Sequence, residues 1–79
     1  MVHHWRPSDN LEHSFRAGEW ALYDRGVLVG YIHYGKANGR PVLRGVTPTG
    51  DVLGYAPTLE DACDRLWAWH QERTERQMR

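Results

Sequence analysis

Gly54-Tyr55-Ala56-Pro57-Thr58-Leu59-Glu60-Asp61-Ala62-Cys63-Asp64-Arg65-Leu66 is the stretch whose reading decides the fold. Thr58 carries the short oxygen-bearing side chain wanted at a helix N-cap, and Asp61 stands three residues on, where a carboxylate can reach back to the cap amide. Glu60 and Asp61 also place negative charge in the first turn, where the helix dipole favours it. Leu59, Ala62, Cys63 and Leu66 then recur at helical spacing and form one apolar stripe. A stripe must be buried against something, and the only candidates are the extended segments that precede it.

Downstream, the helix is expected to run to about residues 70–72. Trp67 and Trp69, two apart, flank opposite edges of the stripe, and His70 returns near its centre. Asp61 with Arg65, and Glu72 with Arg76, stand four apart as favourable pairs. Residues 74–79 read as a frayed tail.

Upstream, residues 19–55 are short extended segments cut by turn residues. Residues 20–23 form a first strand and Asp24-Arg25-Gly26 a tight hairpin turn. Residues 27–34 are rich in β-branched and aromatic side chains and form the longest strand. A turn over residues 35–39, in which Asn38-Gly39 supplies positive φ, leads to a third strand over 40–46. Pro41 near its start costs little there. A turn over 47–51 leads to a short fourth strand, 52–55. Short loops force neighbouring strands to be antiparallel. The fold class expected is α+β: a three- to four-stranded antiparallel meander with one C-terminal amphipathic helix on one face.

Alternation assigns the faces. Trp20, Leu22, Leu28, Ile32, Tyr34, Leu43, Leu53 and Tyr55 are expected to meet the helix. Tyr23, Val27, Val29, Tyr31, His33, Val42, Arg44, Val46 and Val52 are left on the other face, an unusually apolar set for a solvated surface. Residues 1–18 lack periodicity and read as an N-terminal arm. Ser8 would cap a short turn over residues 9–15, with Trp5, Leu11 and Phe15 as apolar anchors. The domain proper is then residues 19–73. Its second face needs a cover, either the arm or a second copy in a homodimer, and the polar run over residues 6–10 favours the homodimer.

Composition narrows the function classes. A chain of 79 residues is one small domain, near the size where a single core barely suffices. Four Trp, four Tyr and one Phe supply large core side chains. Ten basic residues balance ten acidic ones, so the field expected of a domain held mainly on phosphates is missing. Cys63 is the only cysteine, which points to a reducing compartment and a buried small hydrophobe rather than a reactive thiol. No apolar run reaches membrane-spanning length, and a cytoplasmic protein is expected. Nine arginines against one lysine, with frequent Gly and Trp, hint at a GC-rich bacterial or phage source.

Neither metal nor catalytic chemistry is indicated. His3 with His4, His13, His33 and His70 lack the spacing of a zinc motif. Asp61 with Asp64, or Glu60 with Asp64, are the carboxylate pairs available, but first-turn helix acids usually serve the dipole, and no phosphate-cradling glycine loop is present. The expectation is therefore no catalytic residues, no cofactor and no metal. Tyr23, Val29, Tyr31, His33, Arg40 and Arg44 are the candidate interaction face, mixing aromatic and basic groups as sheet readers of nucleic acid do.

Leu53-Gly54-Tyr55 followed by Thr58-Leu59-Glu60-Asp61-Ala62 resembles the strand-to-helix joint of several small meander-plus-helix domains. These are the arm-binding domains of phage tyrosine integrases and the plant ethylene-response DNA-binding domains; HicB-type antitoxins have a similar junction. The layout also looks like small proteins of actinobacteria and their phages. The resemblance covers about ten residues, and the early strands lack the run of arginines that those DNA binders use. The function expected is a non-catalytic interaction module, a phage or bacterial accessory or regulatory protein that binds another protein. The alternative is a DNA-binding regulator of the integrase-arm or excisionase sort, using the open sheet face.

Overall fold

The computed structural model describes residues 4–77. A single 3-10 turn, Pro7–Asn10, precedes strands β1 (Leu11–His13), β2 (Glu19–Asp24), β3 (Val27–Ala37), β4 (Arg40–Val46) and β5 (Val52–Ala56), and helix α1 (Leu59–Gln77) follows. The strands form one antiparallel sheet in the order β1-β2-β3-β4-β5. The α+β meander with a C-terminal helix is as the sequence predicts, but the sheet has five strands, not three or four.

The extra strand comes out of the expected arm. The Asp9 amide donates to the Arg6 carbonyl at 2.9 Å, and the Arg6 amide donates to the Asp9 carboxylate at 3.0 Å. This turn ends at Asn10, and Leu11 is then drawn into the core while its backbone pairs with Leu22. The otherwise open edge of β2 supplies the partner groups. No helical turn runs on to Phe15, and the boundary drawn at residue 18 dissolves. His3 and the start of the arm lie outside the described residues.

The first hairpin forms as read, and the second forms with a shorter turn than the one read over 35–39. Arg25 and Gly26 have φ of 51° and 82°, and Asn38 and Gly39 have 53° and 77°, the pattern of type I′ turns that match strand twist. Because Asn38-Gly39 alone makes the second turn, β3 extends to Ala37 instead of ending at Tyr34.

Thr58 caps α1: its Oγ1 accepts from the Asp61 amide at 3.1 Å. Ala62, Cys63 and Leu66 are buried against Leu22, Val29, Ile32 and Ala56, with Leu59, Trp67 and Trp69 packed alongside. The helix runs past residue 72 to Gln77, supported by an Arg76–Glu72 bridge at 2.7 Å and by Arg73 stacked over the Trp69 ring at 5.3 Å. The tail read over 74–79 is therefore helical to Gln77, and its last two residues lie outside the described ones. Glu72 with Arg76 pairs as expected, whereas no Asp61–Arg65 ion pair forms among the described residues, and at the cap it is the Asp61 amide, not its carboxylate, that is bonded.

Two bulges correct the face assignment. On β3, Leu22 pairs with Gly30 but Tyr23 pairs with Leu28, leaving Val29 as the extra residue. Val29 is fully buried in the helix-side core, and Leu28 is displaced to a groove beside Trp69 and His70. On β5, Leu53 is the extra residue between the Gly45–Gly54 and Val46–Val52 pairs. Ala56 takes the core position, and Tyr55 pairs with Arg44 on the opposite face, 54 % exposed. A bulge adds one residue to a period-two pattern, so every later residue changes sides.

The remaining arm packs on the helix side. Trp5 meets Trp67 edge-on at 5.0 Å, and Arg6 bridges Asp64 at 2.9 Å. It does not cross the sheet face opposite the helix.

Gly30 fixes how closely helix and sheet approach. A Cβ there would collide with the Val46 carbonyl oxygen and come within 2.8 Å of a Leu66 methyl. Gly30→Ala should cost about 3 kcal/mol through overpacking, whereas Thr58→Ala should cost about 1 kcal/mol through loss of the cap. Urea denaturation of both variants checks the order as well as the sizes.

Burial also lifts the Cys63 thiol from its ordinary 9.0 to about 12. The raised value means that the buried thiol contributes its full stability below pH 9.0 and loses it as pH climbs toward about 12. Denaturation across that range should show the stability gap between wild type and Cys63→Ala narrowing as pH rises.

Candidate functional site

The sheet face opposite α1 carries the most distinctive surface. Alternation on the corrected register puts Ala21, Tyr23, Tyr31, His33, Val42, Arg44, Val46, Val52 and Tyr55 there. Ala21 and Val46 are buried and form a floor. The loop joining β1 to β2 rises along one side, and the turn joining β4 to β5 rises along another. Between them lies an open concavity of about 600 Å³ that includes Tyr23, Tyr31, His33 and Phe15 in its walls.

Each rim is built from short-range chemistry. Thr47, 3 % exposed, organises the β4–β5 turn: its amide donates to the Asp51 carbonyl at 2.8 Å, and its Oγ1 accepts from the Asp51 amide at 3.0 Å. On the other side, the Ser14 amide donates to the Glu19 carbonyl at 3.1 Å, continuing the β1–β2 ladder one residue beyond β1. The Ser14 hydroxyl donates to the Glu19 carboxylate at 2.6 Å. Phe15 follows with its ring fully in solvent, at 111 % relative exposure.

One cross-strand row runs Ser14, Glu19, His33, Arg44, Tyr55. His33 Nε2 lies 3.0 Å from the second oxygen of Glu19. Arg44, on the far side of His33, joins no ion pair among the described residues, and its Nε is buried without a hydrogen-bond partner. Two strand spacings separate Glu19 from Arg44, about 10 Å between backbones. The row therefore has a carboxylate on one flank and an unpaired guanidinium on the other.

Of the six predicted face residues, the structure brings Tyr23, Tyr31, His33 and Arg44 to this surface. It removes Val29, which the bulge carries into the core. Arg40 shares the parity of Arg44 but stands exposed at the end of the β3–β4 hairpin, away from the concavity. The expectation of a nearly continuous valine surface is corrected as well: Val29 is internal, and Val27 pairs with Asp24, on the helix-side parity. What remains is a face that mixes aromatic and charged groups with Ala21, Val42, Val46 and Val52.

Sequence reading missed Ser14, Phe15, Glu19 and Tyr55. Ser14 and Phe15 were hidden because β1 was not recognised. Tyr55 was placed on the wrong face by the bulge at Leu53, for which the neighbouring Gly54, at φ 122°, was the available signal. The other histidines are engaged elsewhere. His70 Nε2 lies 3.0 Å from the Asp24 carboxylate, pinning the helix to the first hairpin, and His13 packs beside Trp20. Among the described residues no three His, Cys, Asp or Glu side chains are placed to hold a metal ion, and no helix is long and apolar enough to cross a membrane.

Searches of protein-family models, curated proteins and solved structures found no match to this chain.

The burial of the Arg44 Nε carries a measurable consequence. Leaving a donor desolvated and unpaired costs about 1–3 kcal/mol, and replacing it with an apolar side chain of similar length removes that cost. Arg44→Met should be at least as stable as wild type, by urea denaturation. A loss of stability would show that Arg44 serves the fold and not the surface.

Proposed function

We propose that this chain is a non-catalytic interaction module that docks another polypeptide on the sheet face opposite α1. The single observation that carries this reading is the state of that face. A fully exposed phenylalanine stands over a concavity walled by tyrosines, with an unpaired arginine beside it. A large ring held in water disfavours the isolated protein and is relieved by a partner. Aromatic residues and arginine are also the side chains that dominate protein–protein hot spots.

The chemistry fits a polypeptide better than a nucleic acid. The chain is electrically balanced, and the face itself pairs Glu19 against Arg44, whereas a phosphate backbone calls for a continuous basic surface. Regulation by binding, as an accessory protein does it, needs nothing more than such a surface.

A photo-crosslinking phenylalanine analogue at position 55, introduced in the protein's own host cells, tests this reading. Position 71, exposed on the helix, serves as control. The expected outcome is a polypeptide adduct from position 55 and none from position 71. A nucleic-acid adduct from position 55 would instead select the DNA-binding regulator, with Arg40 and Arg44 as its phosphate contacts. No adduct from either position would overturn the docking reading.

A further inference from the structure

The cross-strand row on the open face is complementary to its own reverse. Ser14, Glu19, His33, Arg44 and Tyr55 come from five adjacent chain passes, with His33 on the central strand. Rotation by 180° about an axis lying in the face and parallel to β3 exchanges the left and right flanks and keeps position along the strands. The row then faces itself reversed: Glu19 opposes an arginine, Arg44 opposes a glutamate, and His33 lies on the axis. The flanking elements obey the same exchange. Phe15, next to Ser14, comes opposite Tyr55, and these are two of the most exposed large apolar side chains of the protein. In the neighbouring row, Glu12–Ala21–Tyr31–Val46–Val52, Ala21 comes opposite Val46, Tyr31 lies on the axis, and Glu12 opposite Val52 is the one unfavourable pairing.

We propose that the occupant of the open face is a second copy of this chain, packed on a two-fold axis along β3 at His33, with Glu19 over the partner subunit's Arg44. This inference rests on the docking reading above and names its partner. Isologous two-fold contact is the commonest way for a small protein to cover a surface, and it requires self-complementarity of this kind. The charges also choose the axis. A two-fold across the strands through the same row would set Glu19 on glutamate and Arg44 on arginine, an arrangement that like-charge repulsion disfavours.

Arg44 explains why the pairing belongs between copies. Its Nε has no acceptor within the chain, and the nearest carboxylate in its row, Glu19, is held on the far side of His33 by Ser14 and His33. The Nε itself is closed off, so an opposing copy's carboxylate would meet the outer nitrogens of each guanidinium without disturbing those bonds. Five strands, the outer two only three and five residues long, give a contact of at most roughly 20 by 20 Å, about 400 Å² per copy and below the size of stable dimer interfaces. A reversible, concentration-dependent dimer follows, not an obligate one.

Sedimentation equilibrium of the full chain from micromolar to millimolar concentration, with circular dichroism to verify folding, tests the proposal. Wild type should dimerise reversibly. Glu19→Arg and Arg44→Glu should each raise the dissociation constant at least about tenfold, and the double exchange should return it to within about threefold of wild type. Because Glu19 has internal bonds, a second variant keeps the test independent of its folding: Phe15→Asp, which alters a ring wholly in water, should also weaken the dimer about tenfold. Wild type that stays monomeric throughout, or a dimer indifferent to Arg44→Glu and Phe15→Asp, overturns the proposal. A monomer that still gives a position-55 adduct with a different polypeptide overturns this inference and leaves the docking reading standing. Absence of any adduct together with a monomer overturns both.

Discussion

Leu66 lies directly on Gly30, and the rest of the structure depends on that contact. The helix axis can approach the sheet only because one strand offers no side chain where the leucine descends. With Leu66 seated there, Cys63 and Ala62 reach the sheet one turn earlier, and Leu22, Ile32 and Ala56 close around them. A core of so few residues has little surplus: domains of this size bury a modest fraction of their surface, and each methyl group counts. Close approach substitutes for bulk. It also explains why Val29 is drawn inward, because the space around a leucine set over a glycine must be filled from the strand itself.

The bulge at Val29 is the other side of the same constraint. Gly30 must face the helix for Leu66 to fit, and Val29 beside it also enters the core. A regular strand cannot send both adjacent residues to one side, so the chain inserts an extra residue. Leu28 is left outside the core, in the groove beside Trp69 and His70, and the sheet surface away from the helix loses a valine. Its character shifts from apolar to aromatic and charged.

This accounts for which parts of the architecture were legible in the sequence. The cap at Thr58, the stripe through Ala62, Cys63 and Leu66, and the turns at Arg25-Gly26 and Asn38-Gly39 are written in local chemistry, and they form as read. Face assignment relied on strict alternation, which carries no mark for an inserted residue, so Val29 and Tyr55 were misplaced. Strand β1 was illegible for a different reason. Three residues, Leu-Glu-His, have no β pattern of their own, and they become a strand because β2 offers an unpaired edge and the core offers a place for Leu11. Of the candidate face, Tyr23, Tyr31, His33 and Arg44 were legible from parity because their strand segments lie clear of both bulges. Ser14 and Glu19 became visible only once the fifth strand was in place.

The two faces of the sheet are finished to different degrees, and the difference is physical. On the helix side, polar groups find partners: His70 meets Asp24, Arg6 meets Asp64, and Thr58 meets the Asp61 amide. On the other side Glu19 is bound twice while Arg44, two strands away, is left with a buried donor and no acceptor. Folding alone does not favour that asymmetry, since an apolar residue at position 44 would cost less. A charge kept at such a place is retained against the stability of the single chain. Any partner that bound the folded state at this face would return stability in proportion to its occupancy.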